Sequence, residues 1–167
     1  LYNKMNNIKH DFENFYKDIS KKYLKNIENP FVVEIGSNDG ILLNYFKNNN
    51  IKHIGFEPSK NVHEVAKNNG INSVNIFFDS DSAEEIRNKH GRADIFVAAN
   101  VMCHIPEIIS VVKGIDKILK DEGIVIFEDP YLGDVIKKTS FDQIYDEHTF
   151  LFSANSLINI FKKFNFK

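Results

Sequence analysis

The chain has 167 residues, a formal net charge of −2 and one cysteine, which bounds it to one soluble globular domain with room for a sizeable core. Basic and acidic residues balance without a basic stripe, no apolar run approaches membrane-spanning length and no signal peptide is visible, so nothing points to nucleic acid or a membrane and a cytoplasmic location is the default. The lone Cys103 excludes a disulfide framework and a cysteine zinc site within these residues.

The opening at Leu1 rather than methionine reads as a fragment or trimmed chain. Ile8, Phe12, Phe15, Tyr16, Ile19, Tyr23, Leu24 and Ile27 recur at spacings of three and four, predicting one amphipathic helix from Asn3 to Asn29 that covers a sheet. Asn29-Pro30 stops it. Phe31 to Ile35 then forms an apolar strand carrying Glu34, followed by the turn Gly36-Ser37-Asn38-Asp39-Gly40 and an apolar pattern of helical spacing from Ile41. Gly36 and Gly40 can take positive φ and let a ligand approach the backbone, and Asn38 is among the few other residues that tolerate the left-handed region. The helix that follows offers unpaired N–H groups at its start.

What this loop lacks narrows its ligand. A G-x-G-x-x-G fingerprint would need glycine where Asn38 and Ile41 stand, which disfavours a pyrophosphate and hence NAD. No G-x-x-x-x-G-K-[ST] is present. A site for another ligand, built on Glu34, Gly36, Ser37, Asn38 and Gly40, remains; a tight turn with no ligand is the alternative.

His53 to Phe56 is a second strand closing on Glu57, at the distance where doubly wound folds place the carboxylate that binds ribose hydroxyls. A helix runs from Ser59 to about Asn68, and a third strand covers Ser73 to Phe77. Phe78 and Asp79 fall at that strand's C-terminal end and are candidates for an adenine contact, with core packing as the alternative for the two adjacent phenylalanines. Ser80 to His90 reads as a helix with Asp81, Glu84 and Glu85 near its start, ended by Gly91.

Ala93 to Ala99 is a near-continuous apolar strand of the sort buried on both faces of a parallel sheet. It leads into Asn100-Val101-Met102-Cys103-His104-Ile105-Pro106, which topology places at the ligand edge, with His104 either facing the crevice or capping the next helix. A helix from Pro106 to Leu119 and a fifth strand from Ile124 to Phe127 follow, with Gly123 between them and Glu128-Asp129-Pro130 after. Five strands alternating with helices define an α/β doubly wound, mainly parallel sheet of expected order 3-2-1-4-5. After a last helix from Ser153 to Phe164 the chain stops at Asn165-Phe166-Lys167, leaving an edge that invites pairing, including self-association.

The segment between the fifth strand and the last helix, Glu128 to Gly133 and then Ser140 to Ser153, is rich in tyrosine, histidine and carboxylates and lies after a strand end, as a lid over the crevice would. Glu34, Gly36 and Gly40 form an E-x-G-x-x-x-G pattern that resembles motif I of the S-adenosylmethionine-dependent methyltransferases of Rossmann-like fold. With G-F-E-P ending at Pro58, N-V-x-x-H-I-P from Asn100, and Y-x-E-H-x-x-x-F-S from Tyr145, the chain resembles the sugar C-methyltransferases that act on nucleotide-linked 4-keto-deoxysugars.

The resemblance spans Glu34 to Ser153 and implies a class I methyltransferase sheet whose last two strands are missing, as are the family's N-terminal zinc domain and C-terminal domain. It implies S-adenosylmethionine held by Glu34, Gly36, Ser37, Asn38, Gly40, Glu57, Phe78, Asp79 and Asn100, no metal in this domain, and catalysis by His148, Tyr145, Glu147 and His104. Carbon methylation needs a carbanion beside a ketone, so a base and an enolate stabiliser are required. His148, with an unperturbed pKa of about 6.5, is the expected base. Tyr145 would bind the ketone oxygen, the Glu147 carboxylate would orient an imidazole, and His104 would donate to the oxyanion or a sugar hydroxyl. The alternatives are an O- or N-methyltransferase, a non-catalytic cofactor-binding domain and, more remotely, an oxidoreductase.

Overall fold

The structure, a computed structural model, describes residues 2–164 and 166–167, with side chains from residue 10 onward; the Ile8 side chain and Asn165 of the sequence patterns therefore fall outside its description. Five strands, β1 (Phe31–Ile35), β2 (Lys52–Phe56), β3 (Ser73–Val74), β4 (Ala93–Ala99) and β5 (Leu119–Glu128), form one sheet of order β3-β2-β1-β4-β5. Every pairing is parallel, as helical crossovers require. The helices are α1 (Tyr2–Ile19), α2 (Leu43–Asn48), α3 (Lys60–Asn68), α4 (Ser80–His90), α5 (Ile108–Ile118), α6 (Leu132–Lys138) and α7 (Ala154–Phe161).

Alternation along the central strands splits the core into two layers. Phe31, Val33 and Ile35 of β1 with Phe96 and Ala98 of β4 face one layer, where α5 contributes Val111, Val112 and Ile115. Val32, Ile95 and Val97 face the other, with Ile19, Leu43, Phe46 and Ala66. Phe78 sits between Phe56 and Phe96, with ring centroids 4.9 and 5.0 Å away. Truncating a buried phenylalanine in such a stack costs about 3–5 kcal/mol.

Four sequence boundaries shift, each for a local reason. The predicted helix to Asn29 is α-helical only to Ile19 and continues as a π-helical turn over Ser20–Leu24. That wider turn brings residues five apart towards the same side, and Ile19 and Leu24 are both buried. The third strand has two residues instead of five, because the Asn75 amide donates to the carbonyls of Glu57 and Pro58 at 2.9 and 2.8 Å and draws the chain off the ladder. The fifth strand starts at Leu119 directly after α5, and Gly123 lies inside it: the register steps from Ala93↔Leu119 to Ile95↔Ile124 across a bulge. Buried Asp94 faces that bulge, accepting from the Phe31 N–H at 2.9 Å and pairing with Lys120 at 2.6 Å. The last helix is capped by Ser153 in a reciprocal box with Ser156 and ends in a 3₁₀ turn over Lys162–Phe164.

No strand among the described residues pairs with the outer edge of β5, which Leu157, Phe161, Phe164 and Phe166 cover in part. No helix among them is long and apolar enough to cross a membrane. Order reverses between β1 and β4, so a crevice opens at the C-terminal ends of those two strands.

Candidate functional site

One wall of the crevice is the loop after β1. Gly36 and Gly40 take φ of +60° and +82°, and Asn38 takes +53°. A Cβ on Gly36 would lie 2.7 Å from Val101 Cγ2, and one on Gly40 would lie 2.5 Å from Ile71 Cγ1. Backbone freedom and closeness both demand glycine there. Glu57, at the end of β2, is 8% exposed and fixes this loop from beneath. Its Oε2 accepts the Asn38 N–H at 3.0 Å and its Oε1 accepts the Ser59 N–H at 2.8 Å. Two of the carboxylate's roughly four acceptor positions are thus used, and the others remain for a ligand hydroxyl.

Behind the loop, Glu34 is 4% exposed and its Oε2 has no partner; the neighbouring Ser37 Oγ is likewise buried and unpartnered. Burial first, and then the Asp39 charge, pushes the Glu34 carboxyl well above the usual carboxylate range. Buried polar atoms are normally satisfied, so these two mark where a polar ligand group would sit.

The opposite wall is the turn after β4. Asn100 takes φ +54° and donates its N–H to the Glu128 carbonyl at 2.6 Å, and Met102–His104 forms a 3₁₀ turn. Asp129 Oδ1 accepts the Cys103 N–H at 3.3 Å, while its Oδ2 is buried without a partner. Desolvation raises the Asp129 carboxyl, an effect that its bonds to Cys103 and the charges of His104 and His148 partly offset. Burial, reinforced by Asp129, pushes the Cys103 thiol up to about 12.

The segment expected to form a lid is tied to this turn by one backbone bond and one histidine-to-carbonyl bond, with a second such bond inside the segment. The Phe150 N–H donates to the Cys103 carbonyl at 3.0 Å. His104 Nδ1 lies 2.7 Å from the Glu147 carbonyl, and His148 Nδ1 lies 2.7 Å from the Gln143 carbonyl. A carbonyl only accepts, so both Nδ1 atoms carry hydrogen, and in a neutral ring Nε2 is then the bare acceptor. The ring centroids of the two histidines are 4.9 Å apart, and Tyr145 stands 4.1 Å from His148. Loop, carboxylate and paired imidazoles share one end of the sheet.

A match to the family described as Methyltransferase domain spans residues 8–167. The chain belongs to that methyltransferase family. It is 33% identical to C-methyltransferase NovU of Streptomyces niveus over 135 residues, which are 81% of this chain and 32% of that protein. The chain thus spans about a third of the length of this curated relative. A solved S-adenosylmethionine-dependent methyltransferase from Archaeoglobus fulgidus matches at TM-score 0.71 and 18% identity, over 93% of this chain and 69% of that one. The plantazolicin methyltransferase BpumL, solved with S-adenosylhomocysteine, matches at TM-score 0.64 and 13% identity, over 90% of this chain and 60% of that one. The likeness to these structures is one of fold, the doubly wound sheet expected from the sequence.

The chain is therefore a methyltransferase domain, and its site residues can be sorted by position. Glu34, Gly36, Ser37, Asn38, Gly40 and Glu57 come together at the β1 and β2 ends; Asn100, His104, Tyr145 and His148 meet at the β4 end and lid. Two adenine candidates have partners within the fold. Phe78 is 6% exposed and committed to the core stack, and the neighbouring Phe77, 76% exposed, is the ring at the surface. Asp79 caps α4, its Oδ1 accepting from Asp81 and Ser82 N–H groups at 2.9 and 2.8 Å, which holds its carboxyl below the usual range.

The Glu147 carboxylate does not orient His148. The Gln143 carbonyl does so, and Glu147 acts on His104 through its own backbone carbonyl. His104, with Nδ1–H already donated, accepts at Nε2 when neutral and donates there only as imidazolium. Sequence reasoning assigned no role to Asp129 or Cys103. A carboxylate just after β5, repeating the position of Glu57 just after β2, was the available signal for Asp129.

Proposed function

We propose that this domain methylates a carbon of a nucleotide-linked 4-keto-deoxysugar through an enolate, using S-adenosylmethionine. The observation that carries the reading is the His104–His148 pair with both Nε2 atoms bare beside the Tyr145 ring. A base with a free lone pair, next to a phenol that can donate to an oxyanion, suits removal of a proton beside a ketone. The name of the relative NovU supports carbon as the acceptor.

In this reading His148 Nε2 takes the proton from the carbon adjacent to the ketone, and the C–H electron pair moves into the enolate. Tyr145 donates its hydroxyl hydrogen to the enolate oxygen. The imidazolium formed on His148 is stabilised by donation of Nδ1–H to the Gln143 carbonyl, and later loses its proton to solvent. His104 Nε2 accepts from a sugar hydroxyl and orients the ring. When bound, the cofactor would supply an electrophilic sulfonium methyl to the carbon nucleophile, the S–CH3 electron pair remaining on sulfur as the thioether of S-adenosylhomocysteine. Glu57 would accept its ribose hydroxyls, Glu34 and Ser37 would receive the polar end of its amino-acid moiety, and the protein contributes position more than covalent chemistry.

The test pairs two variants. His148→Ala should lower methyl transfer by about 10²–10⁴-fold while leaving S-adenosylhomocysteine affinity unchanged by calorimetry. Glu57→Ala should weaken that affinity at least tenfold. Carbon–proton NMR of the product locates the new methyl; a methyl on oxygen or nitrogen, or full activity in His148→Ala, overturns the proposal.

A further inference from the structure

We propose that Cys103, His104 and His148, backed by Asp129, form a binding site for one borderline-soft divalent cation of the zinc class. Their ligand atoms lie within 4.8 Å of one another. Tetrahedral zinc, with bonds of about 2.0–2.3 Å, needs ligand atoms roughly 3–4 Å apart, so on binding the three side chains would draw together. Each histidine gives its Nδ1–H to a backbone carbonyl at 2.7 Å, the arrangement that fixes tautomer and aim when Nε2 is a metal ligand.

An independent observation points the same way. Asp129 Oδ2 is buried and unpartnered, directly behind the turn whose Cys103 N–H its other oxygen accepts. A desolvated carboxylate oxygen without a hydrogen-bond partner is what a cation at this cluster would satisfy. The donor set of one sulfur and two imidazole nitrogens excludes calcium and magnesium, which take oxygen ligands. Binding is not redox chemistry. The Cys103 S–H bond breaks, the thiolate keeps its electron pair as a ligand, and one proton leaves to solvent. Cation and thiolate charges, with that of Asp129, then sum to zero.

The fold assembles this site from two distant segments, so the single cysteine gives no hint of it in a search for cysteine pairs. For the proposed reaction, and resting on that reading, the consequence is inhibition, because His148 Nε2 cannot hold a metal and accept a proton together.

Co²⁺ titration of the chelator-treated chain tests the site. The expected result is one equivalent bound with a near-ultraviolet thiolate-to-cobalt charge-transfer band; because Cys103 is the one cysteine, that band reports on this site alone. Cys103→Ser should abolish the band, and His104→Ala or His148→Ala should weaken binding at least tenfold. Absence of binding, or binding without the band at surface histidines, overturns the proposal.

A measurement on the unaltered chain guards against a variant that fails to fold. With Zn²⁺, side-chain nitrogen–proton NMR should shift His104 and His148 and leave His10, His53, His63 and His90 in place; the converse pattern also overturns it. Neither titration needs cofactor or sugar, so both stay readable if the methyl-transfer proposal fails. If that proposal holds, Zn²⁺ should stop turnover and a chelator should restore it.

Discussion

Around the β1 loop, the groups that set shape are buried or partly buried: Glu57 holds Asn38 and Ser59, partly buried Val101 packs over Gly36, and Ile71 fills the space beside Gly40. From Asp129 to Ser153 the chain instead runs through one short helix and one 3₁₀ turn, with Ile136, Phe141 and Ile144 at 70%, 73% and 62% exposure. That segment is joined to the β4 turn by the Phe150–Cys103 and His104–Glu147 bonds. The difference teaches which part of the site is preorganised in the core and which is positioned by a few backbone bonds at the surface. Stability and cofactor affinity should therefore follow the loop, and turnover the lid.

The strongest challenge to that division is Gly40→Ala. The left-handed backbone costs an alanine about 1–2 kcal/mol, and the collision with Ile71 adds about 1–3 kcal/mol of overpacking. A loss of about 3 kcal/mol lowers Tm by roughly 6–12 °C in a domain of this size. Phe141→Ser, at an exposed lid position, should change stability by no more than about 0.5 kcal/mol. Calorimetric melting of the two variants decides; equal losses would break the comparison.

Legibility in the sequence divides along the same line. Strand order, the glycine loop and the strand-end carboxylates could be read because apolar period and glycine placement are local signals that the core enforces. α4 and β4 fall on their predicted residues for that reason. What could not be read depends on partners distant in sequence. Phe78 is claimed by Phe56 and Phe96, Asp79 by the N-terminus of α4, and the two histidines are oriented by carbonyls instead of by the Glu147 carboxylate. The Asp94–Lys120 pair across the β5 bulge is equally invisible along the chain, because it compensates an irregularity that exists only once the strands are paired.

A smaller effect sharpens the account of the buried half. Glu34 has its carboxyl raised by burial and by Asp39. A raised acid releases its proton more readily when unfolded, so its contribution to stability is fully present below the unfolded value and is lost as pH rises through the folded one. In the proposed complex the ligand ammonium favours the ionised form. Binding should then release a proton, and affinity should rise with pH, by up to about tenfold per unit, between the ordinary carboxylate value and the shifted one. Calorimetry with S-adenosylhomocysteine in buffers of different ionisation heat measures the proton directly, and Glu34→Gln should abolish it. Binding that is independent of pH in the unaltered chain would remove Glu34 from the ligand site.

The smallest effect lies in the lid. Thr139 ends α6 with φ +54° and ψ +42°, a left-handed conformation that its β-branched side chain disfavours. Its N–H is held by the carbonyls of Val135 and Ile136, so helix closure imposes the strain. Asparagine tolerates this region, and Thr139→Asn should gain about 0.5–1 kcal/mol. Urea unfolding measures the gain if α6 unfolds together with the sheet. If the lid opens separately, midpoint and slope for the sheet stay unchanged, while hydrogen exchange slows only at the Thr139 and Ser140 amides that close α6. The second outcome would show that the surface half of the site is a separate cooperative unit, as its few bonds to the β4 turn suggest.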